Sequence, residues 1–392
     1  MKKFSQIFAS VLISLLVTVG LCPAPTVAQE EKPRILFDLT HAERISVGGK
    51  VSNVDTLGNP RIVPLDDEVV PFLDKSGFSV AALDSPPITL EKLKDYDILV
   101  IASPDIIEEG RPAYFSPDEI LAIKEFVQGG GGLLLAGSVI LSANFKVDLI
   151  DYAKNIFDYL IFRRPLLPDV KLVAESLKTR AYYPEVLNDL LKELEVGIKF
   201  NNDISSGTLA NNMRGMGGFG EIIPIAGAAI IGPIMGMVSM LGPGPGSVAM
   251  SWGFKEDGDG THPLWERVDT VFAVSNSLEV AEDAHVIARL GEGVFTVDME
   301  ELSQGGLQEA LSKYLNQLGP PEDIIVKPLG SRPIILAEAK YGQGKIVVTT
   351  MFPLGWERRG AMAGVGPMFA IPMLGFQQLT LNMMNYLSEP SA

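Results

Sequence analysis

The sequence predicts an α/β fold: a three-layer helix-sheet-helix sandwich with a mostly parallel sheet, a late hairpin and an irregular Gly/Met-rich insertion. Three observations carry this. Ile98 to Ala102 is an unbroken apolar run, as a parallel strand shows when helices cover both its faces. Ser116, Pro117, Asp118 and Glu119 spell a helix start, with Ser as N-cap, Pro at the first helical position and Glu placed to close a capping box. Strand-like and helix-like segments alternate along the chain, the pattern of a layered α/β domain.

In chain order, Arg34 to His41 (RILFDLTH) reads as the first strand, and Ala42 to Pro60 as a polar, Gly-containing loop of the kind that sits over a site. Leu65 to Ser76 reads as a helix containing Pro71, Phe78 to Leu83 as the second strand and Leu90 to Lys94 as a short helix. After the third strand, Ile98 to Ala102, the capped helix runs to about Gln128, with Ile120, Ile123 and Val127 on the sheet. Gly129 to Gly132 stops it, and Leu133 to Leu135 is the next buried strand. Val147 to Phe162 is helical in pattern and ends at Arg163-Arg164-Pro165. Pro184 to Glu195 gathers Val186, Leu187, Leu190, Leu191 and Leu194 on one helical face. Strands are expected at Thr270 to Val274 and His285 to Leu290, a helix at Gly306 to Leu318, a hairpin within Ile334 to Met351 and a final helix from Phe376 to Leu387.

The unit from Asp97 to Ser138 with its GGGGLLLAG turn, the RILFDLTH strand and the IILAEAKYGQGKIVVTTM hairpin together resemble the class I glutamine amidotransferase-like superfamily. Within it the chain is similar to the auxiliary, non-catalytic branch that includes ThuA-like proteins, gliding-motility ABC-transporter auxiliary domains and the N-terminal domain of an intraflagellar transport protein. The resemblance implies a flavodoxin-like sandwich. Ala42 departs from it, standing where a Gly is frequent. In catalytic members the strand after the Gly-rich turn ends in a nucleophilic Cys; here that region reads Ala136-Gly137-Ser138-Val139, and the only Cys is Cys22. A thiol mechanism is excluded on inventory.

Lys2, Lys3, the apolar stretch Ile7 to Leu21 and Thr26-Val27-Ala28 read as a secretory signal peptide over residues 1–28, cleaved near Ala28, with residues 29–392 forming the domain. An uncleaved anchor is the alternative; Leu21 before Cys22 is large for a lipoprotein signal. The mature chain is therefore expected in the periplasm, on the cell surface or secreted. The formal charge of −16 leaves no electrostatic footprint for nucleic acid.

Two segments fit a plain sandwich poorly. Ile222 to Gly253 is uncharged, and Ile222 to Leu241 has the length of a membrane span but contains Pro224 and Pro233, which break helices. Gly360 to Phe376 is also uncharged and rich in Gly, Met and Pro. With their flanks, residues 213–250 and 351–384 hold twelve of the fourteen methionines, a residue that repacks around varied apolar partners. Met235, Met237, Met240, Met362, Met368 and Met373 are accordingly candidate contacts for a protein or hydrophobic partner at the cell envelope, or for a peripheral membrane surface, within an insertion around residues 205–255 and its C-terminal counterpart. A buried irregular cap on the sandwich is the competing structural reading.

In open parallel sheets, ligands bind beyond the carboxyl ends of the strands, near the point where strand order reverses. Asp38, Thr40, His41 and Glu43 after the first strand, Ser103 and Asp105 after the third and Ser138 after the fourth fall there. A hydrolase would use Ser138 as nucleophile, His41 as base and Asp38 or Glu43 as orienting acid, on an envelope amide, ester or glycan. The G-x-S-x-G frame of a serine elbow is missing, however. Exposed aromatics for carbohydrate binding are limited, among tryptophans, to Trp252, Trp265 and Trp356. No metal or cofactor is expected: His262 and His285 are remote from His41, Glu282 and His285 form an isolated Glu-x-x-His, and Glu256 to Gly260 (EDGDG) reads as a solvated turn. Gly342, Gly344 and Lys345 lack the spacing of a phosphate loop. The expected function is binding or assembly, with the hydrolase as alternative.

Overall fold

The computed structural model describes residues 32–43, 45–51, 63–67, 69–104, 106–108, 111–137, 183–207, 251–273, 276–292, 294–298, 332–351 and 374–389. Nine strands form the main sheet: β1 (Arg34–Asp38), β2 (Ser79–Leu83), β3 (Ile98–Ala102), β4 (Gly132–Ala136), β5 (Ile198–Phe200), β6 (Leu278–Val280), β7 (His285–Arg289), β8 (Ile334–Tyr341) and β9 (Gly344–Thr349). Strands β2-β1-β3-β4-β9 lie side by side and all parallel. This is the flavodoxin-like order, with its reversal point between β1 and β3. The remaining strands extend the sheet antiparallel through the β8–β9 hairpin: β8 pairs with both β6 and β7, and β6 with β5.

The helices are α1 (Val69–Lys75), α2 (Leu90–Leu93), α3 (Pro117–Gln128), α4 (Tyr183–Leu194) and α5 (Leu374–Ser388). Strand side chains alternate between two cores, as the pleat requires. Ile35, Phe37, Ile98, Val100, Leu134 and Val347 pack with Leu73 of α1 and Leu379 and Met383 of α5. Leu36, Leu99, Ile101, Leu133, Leu135, Ile346 and Val348 pack with Leu93, Ile123 and the α4 face Val186, Leu187, Leu190, Leu191 and Leu194. Both faces are covered, which is why β3 and β4 are apolar throughout.

Ser116 caps α3 by accepting from the Glu119 amide, and Glu119 returns to the Ser116 amide, completing the expected capping box. Pro71 is accommodated because α1 starts only at Val69, so its missing N–H falls in the first turn, where amides lack helical acceptors. One reading is corrected. The stretch Ala42 to Pro60 is not all loop: Ile45–Val47 pairs with Lys50–Val51 and with Val63–Pro64, an Ile-Ser-Val alternation too short to register as a strand. The expected strand at Thr270 is present as Thr270–Ala273 and pairs antiparallel with Ser251–Phe254, outside the main sheet. The helices expected at residues 147–162 and 306–318, and residues 208–250 of the insertion, lie outside the described residues.

The β8–β9 turn docks on the α3 terminus. Gln343 N–H donates to the Gln128 carbonyl at 3.1 Å, and a Cβ on Gly344 would overlap the carbonyl oxygens of Val127 and Gly131. Gly344→Ala is therefore expected to lower stability by about 1–3 kcal/mol through overpacking against backbone, read as a lower urea midpoint at unchanged m-value.

Candidate functional site

Strand β1 ends at Asp38 and β3 at Ala102, so the residues after them face one another across the reversal point of the sheet. Asp38, His41, Glu43 and Ser103 are all buried there. Asp38 Oδ1 accepts from the Thr40 amide at 2.9 Å and the Thr40 hydroxyl at 2.7 Å, which curls the chain back on itself. That curl brings His41 Nδ1 to 2.6 Å from Asp38 Oδ2. The His41 amide donates to Glu43 Oε2 at 2.9 Å, while Glu43 Oε1 is buried without a hydrogen-bond partner. Ala42 bridges the two with φ of 61°, in the left-handed region. Only Gly adopts that conformation freely, so Ala42 sits there against its own preference.

The other side of His41 is closed by α3. Its Nε2 lies 3.6 Å from Glu119 Oε1, and its ring stacks on Phe115 at 4.0 Å between centroids. Glu119 thus serves three segments: its own helix cap, the Ile88 amide, which donates to Oε1 at 2.9 Å, and His41. Its capping role was legible in the sequence, but its place in the site was not, because the approach to His41 is purely tertiary.

Burial alone would push the His41 imidazole down, but its hydrogen bond to Asp38, the nearby Glu119 carboxylate and the charges of Asp38 and Glu43 raise it to about 10. Burial acts to raise both carboxyls that face it. The imidazolium nevertheless holds Asp38 below its ordinary value, and His41 with the Ser116 and Ile88 amides lowers Glu119 to about 2. Glu43 goes the other way: burial and the neighbouring Asp38 charge lift it well above the usual carboxylate range. The cluster is an imidazolium between two carboxylates, with a third carboxyl favouring its protonated form.

Asp38, His41 and Glu43 offer ligand atoms within 4.8 Å of one another. The 2.6 Å contact between His41 and Asp38 nevertheless suits a shared proton. Two ligands of one tetrahedral ion would stand about 3.3 Å apart.

Ser103 has φ of 50°, and its amide and hydroxyl both donate to the Ala136 carbonyl, at 2.8 and 3.3 Å. These bonds tie the end of β3 to the end of β4. Gly137, the last described residue before Ser138, donates to the Thr349 carbonyl, and a Cβ there would collide with the rings of Tyr183 and Phe200. The structure therefore brings together Asp38, Thr40, His41 and Glu43, with Ser103 at the facing strand end. Ser138, Asp105, Met235, Met237, Met240, Met362, Met368 and Met373 lie outside the described residues. Among the described residues no helix is long and apolar enough to cross a membrane.

Neither a protein-family model nor a curated protein matches the chain. Solved structures to which it is similar include the mmIFT52 N-terminal domain, at 14% identity and TM-score 0.37, covering 84% of this chain and 95% of that one. A ThuA-like protein from Parabacteroides merdae aligns at 9% identity and TM-score 0.38, covering 92% of this chain and 90% of that one. Another from Bacteroides uniformis aligns at 9% identity and TM-score 0.37, covering 93% and 95%.

The pH dependence of stability follows from the cluster. The His41 contribution is complete below its unfolded value near 6.5 and is lost as pH rises through about 10. The Glu119 contribution is complete above 4.5 and is lost as pH falls toward about 2. Glu43, raised in the fold, withdraws stability above its ordinary 4.5. His41→Asn leaves buried carboxylates unpaired and is expected to cost about 3–5 kcal/mol. Urea titrations from pH 6 to 10 should show a falling midpoint in the native chain and a flatter profile in the variant.

Proposed function

We propose that the chain is a non-catalytic binding or assembly module of the cell envelope, built on an amidotransferase-like domain. The observation that carries this reading is the state of His41. A general base must present an unprotonated nitrogen to its substrate. Both nitrogens of His41 face carboxylates, the ring is buried, and its proton is held up to about pH 10. The group a serine hydrolase would need is committed to joining the end of β1 to α3. No cysteine follows residue 22 to supply a thiol instead.

The envelope location rests on residues 1–28, whose Lys-Lys start, apolar stretch and Thr-Val-Ala site have the form of a secretory signal. The partner is a protein or hydrophobic surface met by the uncharged Met/Gly/Pro segments around residues 222–253 and 360–376. Peripheral contact with the membrane is part of the same reading, and nucleic acid is not, on charge.

A fluorophosphonate probe separates this module from a hydrolase. The chain from residue 29 onward is expected to remain unlabelled. Labelling that disappears in both Ser138→Ala and His41→Asn would establish the hydrolase instead. Deleting residues 222–241 should preserve a cooperative urea transition while abolishing cosedimentation with envelope fractions. A lost transition would assign that segment to the core.

A further inference from the structure

Away from the β1 strand end, a second group of side chains converges from four parts of the chain. His285 on β7 and Glu338 on β8 are register partners across an antiparallel pair, so their side chains stand together on one face. His262 caps the short 3-10 turn Pro263–Trp265, directly after the EDGDG turn, and Tyr386 comes from α5. His262 Nε2 lies 3.6 Å, and His285 Nδ1 3.7 Å, from the same oxygen, Glu338 Oε1. These separations are too long for good hydrogen bonds. They are close to the spacing of about 3.3 Å between neighbouring ligands of a tetrahedral ion with 2.0–2.1 Å bonds. Ligand atoms of all three residues fall within 4.8 Å of one another.

We propose that His262, His285 and Glu338 form a binding site for a divalent transition metal of the zinc class, leaving a fourth position open to solvent. Two imidazoles and one carboxylate suit zinc-like ions and disfavour magnesium or calcium, which seek oxygen ligands. The surroundings orient the ligands. Tyr386 donates to Glu338 Oε2 at 2.6 Å, which leaves Oε1 to the metal. Asp259 Oδ2 lies 3.4 Å from His285 Nε2, placed to receive its N–H when Nδ1 binds, and Oδ1 is anchored by the Thr261 amide and hydroxyl at 3.0 and 2.6 Å. A carboxylate behind a histidine ligand is the usual supporting arrangement.

One contact must give way. The Leu264 amide donates to His262 Nδ1 at 3.3 Å, whereas an imidazole that binds metal through Nε2 carries its proton on Nδ1. That bond is long, neutral and single, and metal coordination outweighs it. Half-exposed His285 provides the entry path.

The test is titration of the tag-free, chelator-treated protein with Co2+ and Zn2+. One Co2+ per chain is expected, with the visible spectrum of a low-coordinate site. With only three histidines in the sequence, imidazole NMR gives a direct map: Zn2+ should move two rings and leave the third, His41, in place. His285→Ala, a half-exposed change that spares the cores, should weaken Zn2+ binding by about 100-fold or more. Asp259→Asn, which keeps the Thr261 contacts, should weaken it by about 10–100-fold. Movement of the His41 resonances alone, affinity unchanged in folded His285→Ala, or no stoichiometric binding would each overturn the proposal.

Discussion

The structure hangs on the contact between Glu119 and His41 at the switch point of the sheet. Two residues with no common secondary-structure element are held there because each is already fixed by its own segment: Glu119 by its capping box and the Ile88 amide, His41 by the turn that Asp38 and Thr40 make. A buried ion pair is weak evidence for stability in general, since desolvation offsets attraction. Here the pair is part of a hydrogen-bonded chain in which most of the charge is met. What it contributes is position: it fastens the first β-strand to the helix that follows the third.

That use of charge bears on function. The crevice beyond the carboxyl ends of parallel strands is where such sheets normally receive a ligand. Among the described residues of this crevice, Asp38 and His41 satisfy one another, the adjoining β4 end is overlaid by Tyr183 and Phe200, and Ser103 is turned back to the Ala136 carbonyl. Glu43 Oε1 accepts no hydrogen bond there, in keeping with a carboxyl that burial and the neighbouring Asp38 raise above its ordinary value. The His262, His285 and Glu338 group differs, because no short contact comparable to that of His41 with Asp38 joins its three members, and one of them, His285, reaches solvent.

The parallel half of the fold was legible because its signals are local. The apolar run of β3, the Ser116 capping box and the five-residue apolar face of α4 each reflect burial or capping within a dozen residues, and each element formed where expected. The short strands Ile198–Phe200, Asp203–Gly207, Leu278–Val280 and Val294–Asp298 were not read, since runs of three to five residues leave little periodicity. Asp38, Thr40, His41 and Glu43 were legible as a strand-end group because they fall within one short stretch at the end of β1. Glu119 was visible only as a cap. The His262 and His285 pairing was discounted because spacing rules search for ligands on one helix or turn, whereas His285 meets Glu338 through strand register and His262 arrives from a separate 3-10 turn.

The position of β9 has a consequence for the newborn chain. Its parallel neighbour β4 occupies Gly132–Ala136, and β9 follows about two hundred residues later. Until Gly344–Thr349 has been synthesised, the Leu-rich edge of β4 has its β3 partner on one side and no native strand on the other. An open apolar edge is a template for pairing with other chains. The nascent protein therefore passes through a stage at which that edge is open, and a premature stop within the C-terminal hairpin leaves a fragment predisposed to aggregate even though most of its parallel strands are present.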